Sequence, residues 1–331
     1  MKQHPYQVVI TDCDHGSIQE EKEECVQIGA ELVLAQVREE DELIRACKEA
    51  DGLINQYALL TRRVLEQLPN CKVLARYGVG VDSVDLKAAT DLGIIVANVP
   101  DYCIEEVASH AAALILTLAR KTAFFDRMVK SNQWDFRQGI PIGRISGKTL
   151  GLIGSGKIGL EVAKMIFPFG VKVIAYDPYL KEVPEGIELK DFDAVLKESD
   201  FISIHCPLND STRHLIGEKE FKKMDKKPLL INTSRGPIID EKALIQALQE
   251  GLINGAGLDV LEKEPPDSKN PMLAMENVIF SPHVGFYSEE SISELKRRTA
   301  KNVLDVLIGR WPGSVVNQGV KGKTRAVISE D

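Results

Sequence analysis

The sequence predicts an α/β protein built as two successive parallel-sheet units, and three observations carry this. Short β-branched runs alternate with helix-period segments through the first hundred residues, the rhythm of parallel strands joined by crossovers. Near residue 101 a long alanine-rich apolar segment interrupts that rhythm, and a second series of strands follows it. One turn of the second series carries glycines at the spacing of a phosphate-binding loop.

In order, QVVITDC, ELVLAQV, GLINQY, KVLARYG and GIIVANVP read as strands, with amphipathic helices between them. Ser17 and Glu20 have capping-box spacing ahead of the first helix. DYCIEEVASHAAALILTLAR, from Asp101, is apolar around much of its helical circumference, which suits a helix buried between layers or at a subunit interface. The second series comprises KTLGLIG, KVIAYD, FISIHC, LLINTSR, GAGLDV and NVIFSPH. A final helix is expected from near Ser288 to about Ile308, with a polar tail after it. No repeat of solenoid period and no low-complexity linker interrupts the chain.

Composition narrows the function classes. The 331 residues suffice for two domains with separate cores, and 44% hydrophobic with 27% charged residues is the balance of a soluble globular chain. A net charge of −8 argues against nucleic acid held through its phosphates. The lysines from Lys219 to Lys227 are interrupted by Glu220 and Asp225 and read as a solvated helix face. No apolar run approaches the ~18 residues of a membrane span. The start, MKQHPYQVVITDCD, has too short an apolar run and too early an acid for a signal peptide. Six scattered cysteines (13, 25, 47, 71, 103 and 206) show neither a C-x-x-C pair nor metal-ligand spacing. Free thiols in a reducing cytoplasm, and no metal, are the expectation.

The most specific single motif is Gly154, Gly156 and Gly159, a G-x-G-x-x-G placed after a strand and opening a helix at Lys157 and Ile158. The first glycine permits a tight turn, the second lets the backbone approach a pyrophosphate, and the third lets helix and strand pack closely. Asp177 ends the next strand, near the ~20-residue spacing of a ribose-binding acid. Its carboxylate accepts from both ribose hydroxyls and repels a 2′-phosphate, so NAD is expected over NADP.

Arg235, Glu264 and His283 each follow a strand of the second unit, at the sheet edge where open α/β sheets bind ligands. Each has a plain alternative: a surface arginine, an acidic loop residue, a structurally satisfied histidine. Together they suit hydride transfer to or from a 2-oxo or 2-hydroxy acid, as carboxylate-binding guanidinium, carboxylate and acid/base imidazole. In the first unit Arg76 and the run Gly78-Val79-Gly80 stand at a strand end, where backbone N–H groups can hold a carboxylate. A plain strand–turn–helix junction fits the same residues.

The blocks RYGVGVDSVD, NVPDYCIEEVASHAAALIL, GKTLGLIGSGKIG, HCPL, INTSRGPIIDEKAL, GLDVLEKEP and SPHVG, in this order, resemble the D-2-hydroxyacid dehydrogenase family over nearly the whole chain. The resemblance implies a Rossmann cofactor domain, residues 101–299, inserted into a flavodoxin-like catalytic domain of 1–100 plus 300–331. It implies that Arg235 binds the substrate carboxylate and polarises the oxo group, that Glu264 orients His283, and that His283 is the acid/base. Asp259 is implied near the nicotinamide carboxamide, Cys206 and Pro207 near the adenosine, and Thr233 among the cofactor contacts. Val79 and Gly80 are implied to donate to the substrate carboxylate, and a homodimer through the cofactor domain is implied as well.

AYDPYL, RQGIPIGRISGKTLGLIG and SPHVGFYSEES are similar to the branch that holds the C-terminal-binding corepressors and phosphoglycerate dehydrogenase-like chains. Two functions follow from the resemblance. One is an NAD-dependent reductase of hydroxypyruvate, glyoxylate or a phosphorylated analogue; the other is an NAD-gated interaction module. Phe286 and Tyr102 fit pocket walls or core equally, and Arg76, Arg137 and Arg144 are cations that a phosphorylated substrate would want.

Overall fold

The computed structural model describes residues 4–329. The chain divides into two compact units: residues up to Tyr102 with those from Ser288 onward, and Cys103–Tyr287. The return to the first unit thus falls at Ser288 and not near residue 300, because the final helix belongs to the first unit along its whole length.

The first sheet holds β1 (Gln7–Ile10), β2 (Glu31–Leu34), β3 (Gly52–Asn55), β4 (Val73–Arg76) and β5 (Ile95–Ala97). The second holds β6 (Thr149–Ile153), β7 (Lys172–Tyr176), β8 (Ile187–Leu189), β9 (Phe201–Ile204), β10 (Leu229–Asn232), β11 (Gly255–Leu258) and β12 (Val278–Phe280). Among the first strands run α1 (Gln19–Val26), α2 (Glu40–Cys47), α3 (Arg62–Glu66) and α4 (Leu86–Asp91). The second unit contributes α5 (Ile104–Arg120), α6 (Thr122–Lys130), α7 (Lys157–Ile166), α8 (Phe192–Glu198), α9 (Glu218–Phe221) and α10 (Glu241–Gln249). The last helix, α11 (Glu289–Leu307), completes the first unit.

In the first unit the order is β2-β1-β3-β4-β5, all parallel, the flavodoxin-like arrangement. Val9, Leu53, Leu74 and Val96 point into one core with Leu43 and Leu65. The opposite face meets α11 so closely that a Cβ at Gly52 would lie 2.5 Å from Val303 Cγ1. Ser288 caps α11 by accepting from Ser291 N, as its type predicts. Ser17 and Glu20 do not form the expected box. Ile18 precedes α1, and Glu20 Oε2 instead pairs with Lys296 Nζ of α11 at 2.5 Å.

That lysine is buried. It also meets the Ser17 carbonyl and lies 3.9 Å from Glu21, whose other carboxylate oxygen accepts from Tyr77 Oη at 2.6 Å.

In the second unit the order is β12-β11-β10-β9-β6-β7-β8, again all parallel, with its reversal between β6 and β9. Period-two alternation divides the side chains between two cores. Ile202, Ile204 and Leu230 face one layer, while Leu150, Leu152, Val173 and Ile231 face α5 and α7. Helix α5 buries Ala108, Ala111, Leu114 and Ile115, and its Leu114 sits 3.2 Å from a Cβ built at Gly257, so the glycine of β11 admits the helix. Strand β8 was not legible in the sequence: three residues with a central glutamate at a sheet edge show no apolar run. All six cysteines are buried, and none forms a disulfide. No helix among the described residues is long and apolar enough to cross a membrane, and none of their side chains cluster as a metal site.

Candidate active site

The glycine turn sits at the reversal of strand order, where doubly wound sheets bind ligands. Gly154 has φ +91°, and a Cβ there would lie 2.7 Å from Cys206 N; at Gly159 it would lie 2.4 Å from Gly154 O. Around Gly156, which precedes Lys157 and Ile158 of α7, a Cβ would meet nothing within 4 Å. A phosphate can therefore approach this backbone and the helix N-terminus. The Asp177 carboxylate accepts from Ser155 N and Tyr179 N, both at 3.0 Å, which fixes it at the end of β7. Ser155 Oγ and Thr233 Oγ1 are buried and have no hydrogen-bond partner among the described residues. Buried hydroxyls are seldom left so; one stands in the turn itself and the other at the end of β10, on the same edge of the sheet. A glycine cradle, a fixed acid and two unspent hydroxyls fit a dinucleotide.

Behind the turn, His205 Nε2 lies 2.8 Å from Ser203 Oγ. Burial lowers its pKa to about 4, so the imidazole is neutral at physiological pH. Burial likewise raises the thiol of Cys206 to about 11, and Pro207 follows it at the surface.

Arg235, Glu264 and His283 stand on the loops after β10, β11 and β12, which are neighbours in the sheet. Asn232 shapes the first loop by donating to Arg235 O at 2.9 Å and accepting from Ser234 N at 3.0 Å. Gly236 then passes against the next loop: a Cβ there would lie 1.9 Å from Leu261 C. Only glycine allows this approach, which sets the arginine loop beside the glutamate loop. Glu264 Oε1 accepts from Leu261 N at 3.0 Å, and its Oε2 lies 2.7 Å from His283 Nδ1. A carboxylate only accepts, so Nδ1 carries the proton and Nε2 is the ring atom left for chemistry. The side chains of His283 and Glu264 are 28% and 38% exposed, within reach of a ligand. Phe286 stands edge-on to the imidazole, ring centroids 6.1 Å apart.

His283 has φ +53°, a left-handed conformation that costs a non-glycine residue on the order of 1 kcal/mol. Asp259 holds it there. Its carbonyl accepts from His283 N at 2.8 Å, and its carboxylate accepts from Val284 N and Gly285 N, both at 2.9 Å, and from Ser281 Oγ at 2.6 Å. Burial alone would raise the Asp259 carboxyl, but hydrogen bonds from His110, Ser281 and the two backbone N–H groups outweigh it and leave the pKa at about 2. Ser281, His110 and Gly236 escaped the sequence reading. A hydroxyl before Pro282 and a histidine inside an apolar helix carry no signal of their contacts across the sheet.

The first unit carries its own candidates at the end of β4. Val79 O accepts from Asn98 Nδ2 at 2.7 Å, while the N–H groups of Val79 and Gly80 meet no acceptor among the described residues. Arg76 lies against the same turn, its guanidinium 1.9 Å from a Cβ built at Gly78. Tyr102 is buried in this unit. Within the second unit, Arg137 pairs with Asp135 at 2.7 Å. Arg144 lines a cavity of about 540 Å³ beside Lys148, Phe201 and Leu229. Those residues mark the starts of strands, so Arg144 stands at the sheet edge opposite Arg235.

This fold and this loop chemistry define a dinucleotide-dependent oxidoreductase, and comparison with known proteins gives the family. Residues 112–285 match the family described as D-isomer specific 2-hydroxyacid dehydrogenase, NAD binding domain. The chain is 40% identical over 315 residues to D-3-phosphoglycerate dehydrogenase of Methanocaldococcus jannaschii, covering 94% of this chain and 59% of that one. It is 38% identical over 288 residues to glyoxylate reductase of Korarchaeum cryptofilum, covering 84% and 86%. The solved structure of TT0316 protein from Thermus thermophilus is 31% identical with a TM-score of 0.86, covering 94% of this chain and 99% of that one. The chain belongs to the D-isomer-specific 2-hydroxyacid dehydrogenase family and uses NAD.

Proposed function

We propose that the chain interconverts a small 2-oxo acid and its D-2-hydroxy acid, of the glyoxylate, hydroxypyruvate or phosphoglycerate type, with His283 as acid/base. The observation that carries this is the 2.7 Å contact between His283 Nδ1 and Glu264 Oε2, on loops that leave the same edge of the parallel sheet as the dinucleotide turn. Bound NAD supplies the hydride acceptor for oxidation and, reduced, the donor for reduction. His283 Nε2 takes the hydroxyl proton in one direction and returns it to the oxo oxygen in the other. Glu264 holds the ring in the required tautomer and stabilises its protonated form. Arg235 pairs with the substrate carboxylate and polarises the oxo group, and Phe286 walls the reacting side.

To the first unit's Val79 and Gly80 we assign N–H donation to the substrate carboxylate, and to Arg76 a supporting positive charge. Cofactor contacts are assigned to Gly154, Gly156, Lys157, Ile158, Gly159, Cys206, Pro207, Thr233 and Asp259, with Asp177 on the adenosine ribose. Buried thiols without a disulfide suit a cytoplasmic protein, and the net charge of −8 speaks against a nucleic-acid partner. Trp134, Phe136 and Ile140 are 89%, 72% and 59% exposed within seven residues. Such a patch supports a homodimer through the cofactor unit, which sedimentation of the purified chain checks.

The test is NADH oxidation against glyoxylate, hydroxypyruvate and phosphohydroxypyruvate, with His283→Ala alongside. Turnover that His283→Ala lowers by about 10²- to 10⁴-fold, with NADH binding retained, is expected. Activity in the variant sinks the assignment. No turnover with any 2-oxo acid points to an NAD-gated interaction module.

A further inference from the structure

We propose that His110 and Ser281 are positioning residues for the reaction: they fix the Asp259 carboxylate and, through it, the left-handed turn that presents His283. This rests on the acid/base role given above to His283.

Ser281 has one hydroxyl proton and directs it at Asp259 Oδ1, 2.6 Å away. Its oxygen is then an acceptor, and the group facing it is His110 Nε2 at 2.7 Å, so that nitrogen carries an N–H. A directed chain therefore runs from His110 on α5, through Ser281 after β12, to the carboxylate after β11. His110 Nε2 is also 3.5 Å from Asp259 Oδ1, near enough to favour the charged carboxylate. The same carboxylate receives the N–H groups of Val284 and Gly285, the two residues after His283.

The turn has little room to drift. A Cβ at Gly285 would lie 2.9 Å from Asp259 Oδ2 and 3.4 Å from His110 Cδ2, so the backbone rests directly on the chain. Each residue of the run Ser281–Gly285 except Pro282 thus contacts Asp259, and three of those contacts reach its carboxylate. Removing the Ser281 hydroxyl or the His110 donor weakens this anchor and leaves the carboxylate oriented chiefly by the N–H groups of the very turn it positions. The imidazole then loses its fixed aim while every group that touches substrate is still present. Misplacement of a catalytic group by about 1 Å costs on the order of a hundredfold in rate.

The experiment uses the full chain with NADH and glyoxylate or hydroxypyruvate, comparing Ser281→Ala, Ser281→Thr, His110→Phe, His110→Gln and His283→Ala. Ser281→Ala and His110→Phe are expected to lower kcat by about 10- to 100-fold, with both KM values and the NADH Kd within about threefold. Ser281→Thr and His110→Gln, which keep a hydroxyl and an N–H donor, are expected to restore most of the rate. The double variant Ser281→Ala with His110→Phe is expected to lose no more than the single ones, since both break one chain. If a breaking variant fails to fold, the conservative variant at the same position decides: wild-type kcat supports the chain, and a hundredfold loss overturns it. Wild-type kcat in both breaking variants while His283→Ala is inactive overturns the proposal and leaves the function standing. Full activity in His283→Ala overturns the acid/base reading itself.

Discussion

Glu264 Oε1 accepts the Leu261 N–H at 3.0 Å while its Oε2 lies 2.7 Å from His283 Nδ1, so one carboxylate joins its own loop to the imidazole. Glu264→Gln keeps an acceptor for Nδ1 but removes the carboxylate charge beside the ring. Steady-state kinetics are expected to show kcat lower by about 10- to 100-fold, a smaller loss than His283→Ala. Equal turnover in Glu264→Gln and wild type would remove the carboxylate from the mechanism.

Gly236 is the residue on which the placing of the arginine loop depends. A methyl group there meets Leu261 C at 1.9 Å, backbone that cannot move aside. Gly236→Ala is expected to lose about 1–3 kcal/mol or more of stability and to raise the KM for the 2-oxo acid as Arg235 shifts. Urea unfolding and the KM together check this; a silent substitution would mean the two loops are not packed as described.

The strands and the parallel-sheet class were readable because parallel, doubly covered strands are nearly continuous apolar runs, as in Leu229–Asn232 and Phe201–Ile204. The glycine turn was readable because each glycine answers a separate steric demand. What stayed hidden depends on contacts distant in sequence. Glu20 offered a local capping role, yet Lys296, 276 residues away, claims its carboxylate. Ser281 and His110 are 171 residues apart and meet only once the sheet is assembled. Their residue types are ordinary; only the register of β11 and β12 gives them a common partner.

Asp177 is expected to set the preference between the two nicotinamide cofactors. Its carboxylate is pinned by Ser155 N and Tyr179 N and cannot swing away from a 2′-phosphate. Asp177→Ser should bring the ratio of kcat/KM for NADH over NADPH down by at least about tenfold, a change of about 1.4 kcal/mol. An unchanged ratio would place the ribose elsewhere.

Lys296→Met leaves Glu20 and the fully buried Glu21 without their cation. Breaking a buried pair this way costs about 3–5 kcal/mol. Burial already holds the Glu21 carboxyl above its ordinary range, so its contribution is favourable below the unfolded value near ~4.3 and is lost as pH rises through the folded one. Thermal melts should therefore show a larger deficit for the variant at pH 8 than at pH 5. The opposite trend would refute the burial argument.

Asp259 has the reverse sign. With its pKa at about 2, against ~3.9 unfolded, it contributes on the order of 2 kcal/mol above pH 4, lost as pH falls toward 2. Asp259→Asn should flatten that part of an acid-unfolding curve. A curve as steep as wild type's would mean other carboxylates dominate.

The burial of every native cysteine has a practical consequence. Burial raises the thiols of Cys25, Cys47 and Cys71 to about 12, so almost none is present as thiolate at neutral pH. Maleimide reagents should leave the folded wild-type chain untouched. A single cysteine introduced on the surface would then be the one labelling handle, and fluorescent reporters can be attached without first stripping the native sulfur.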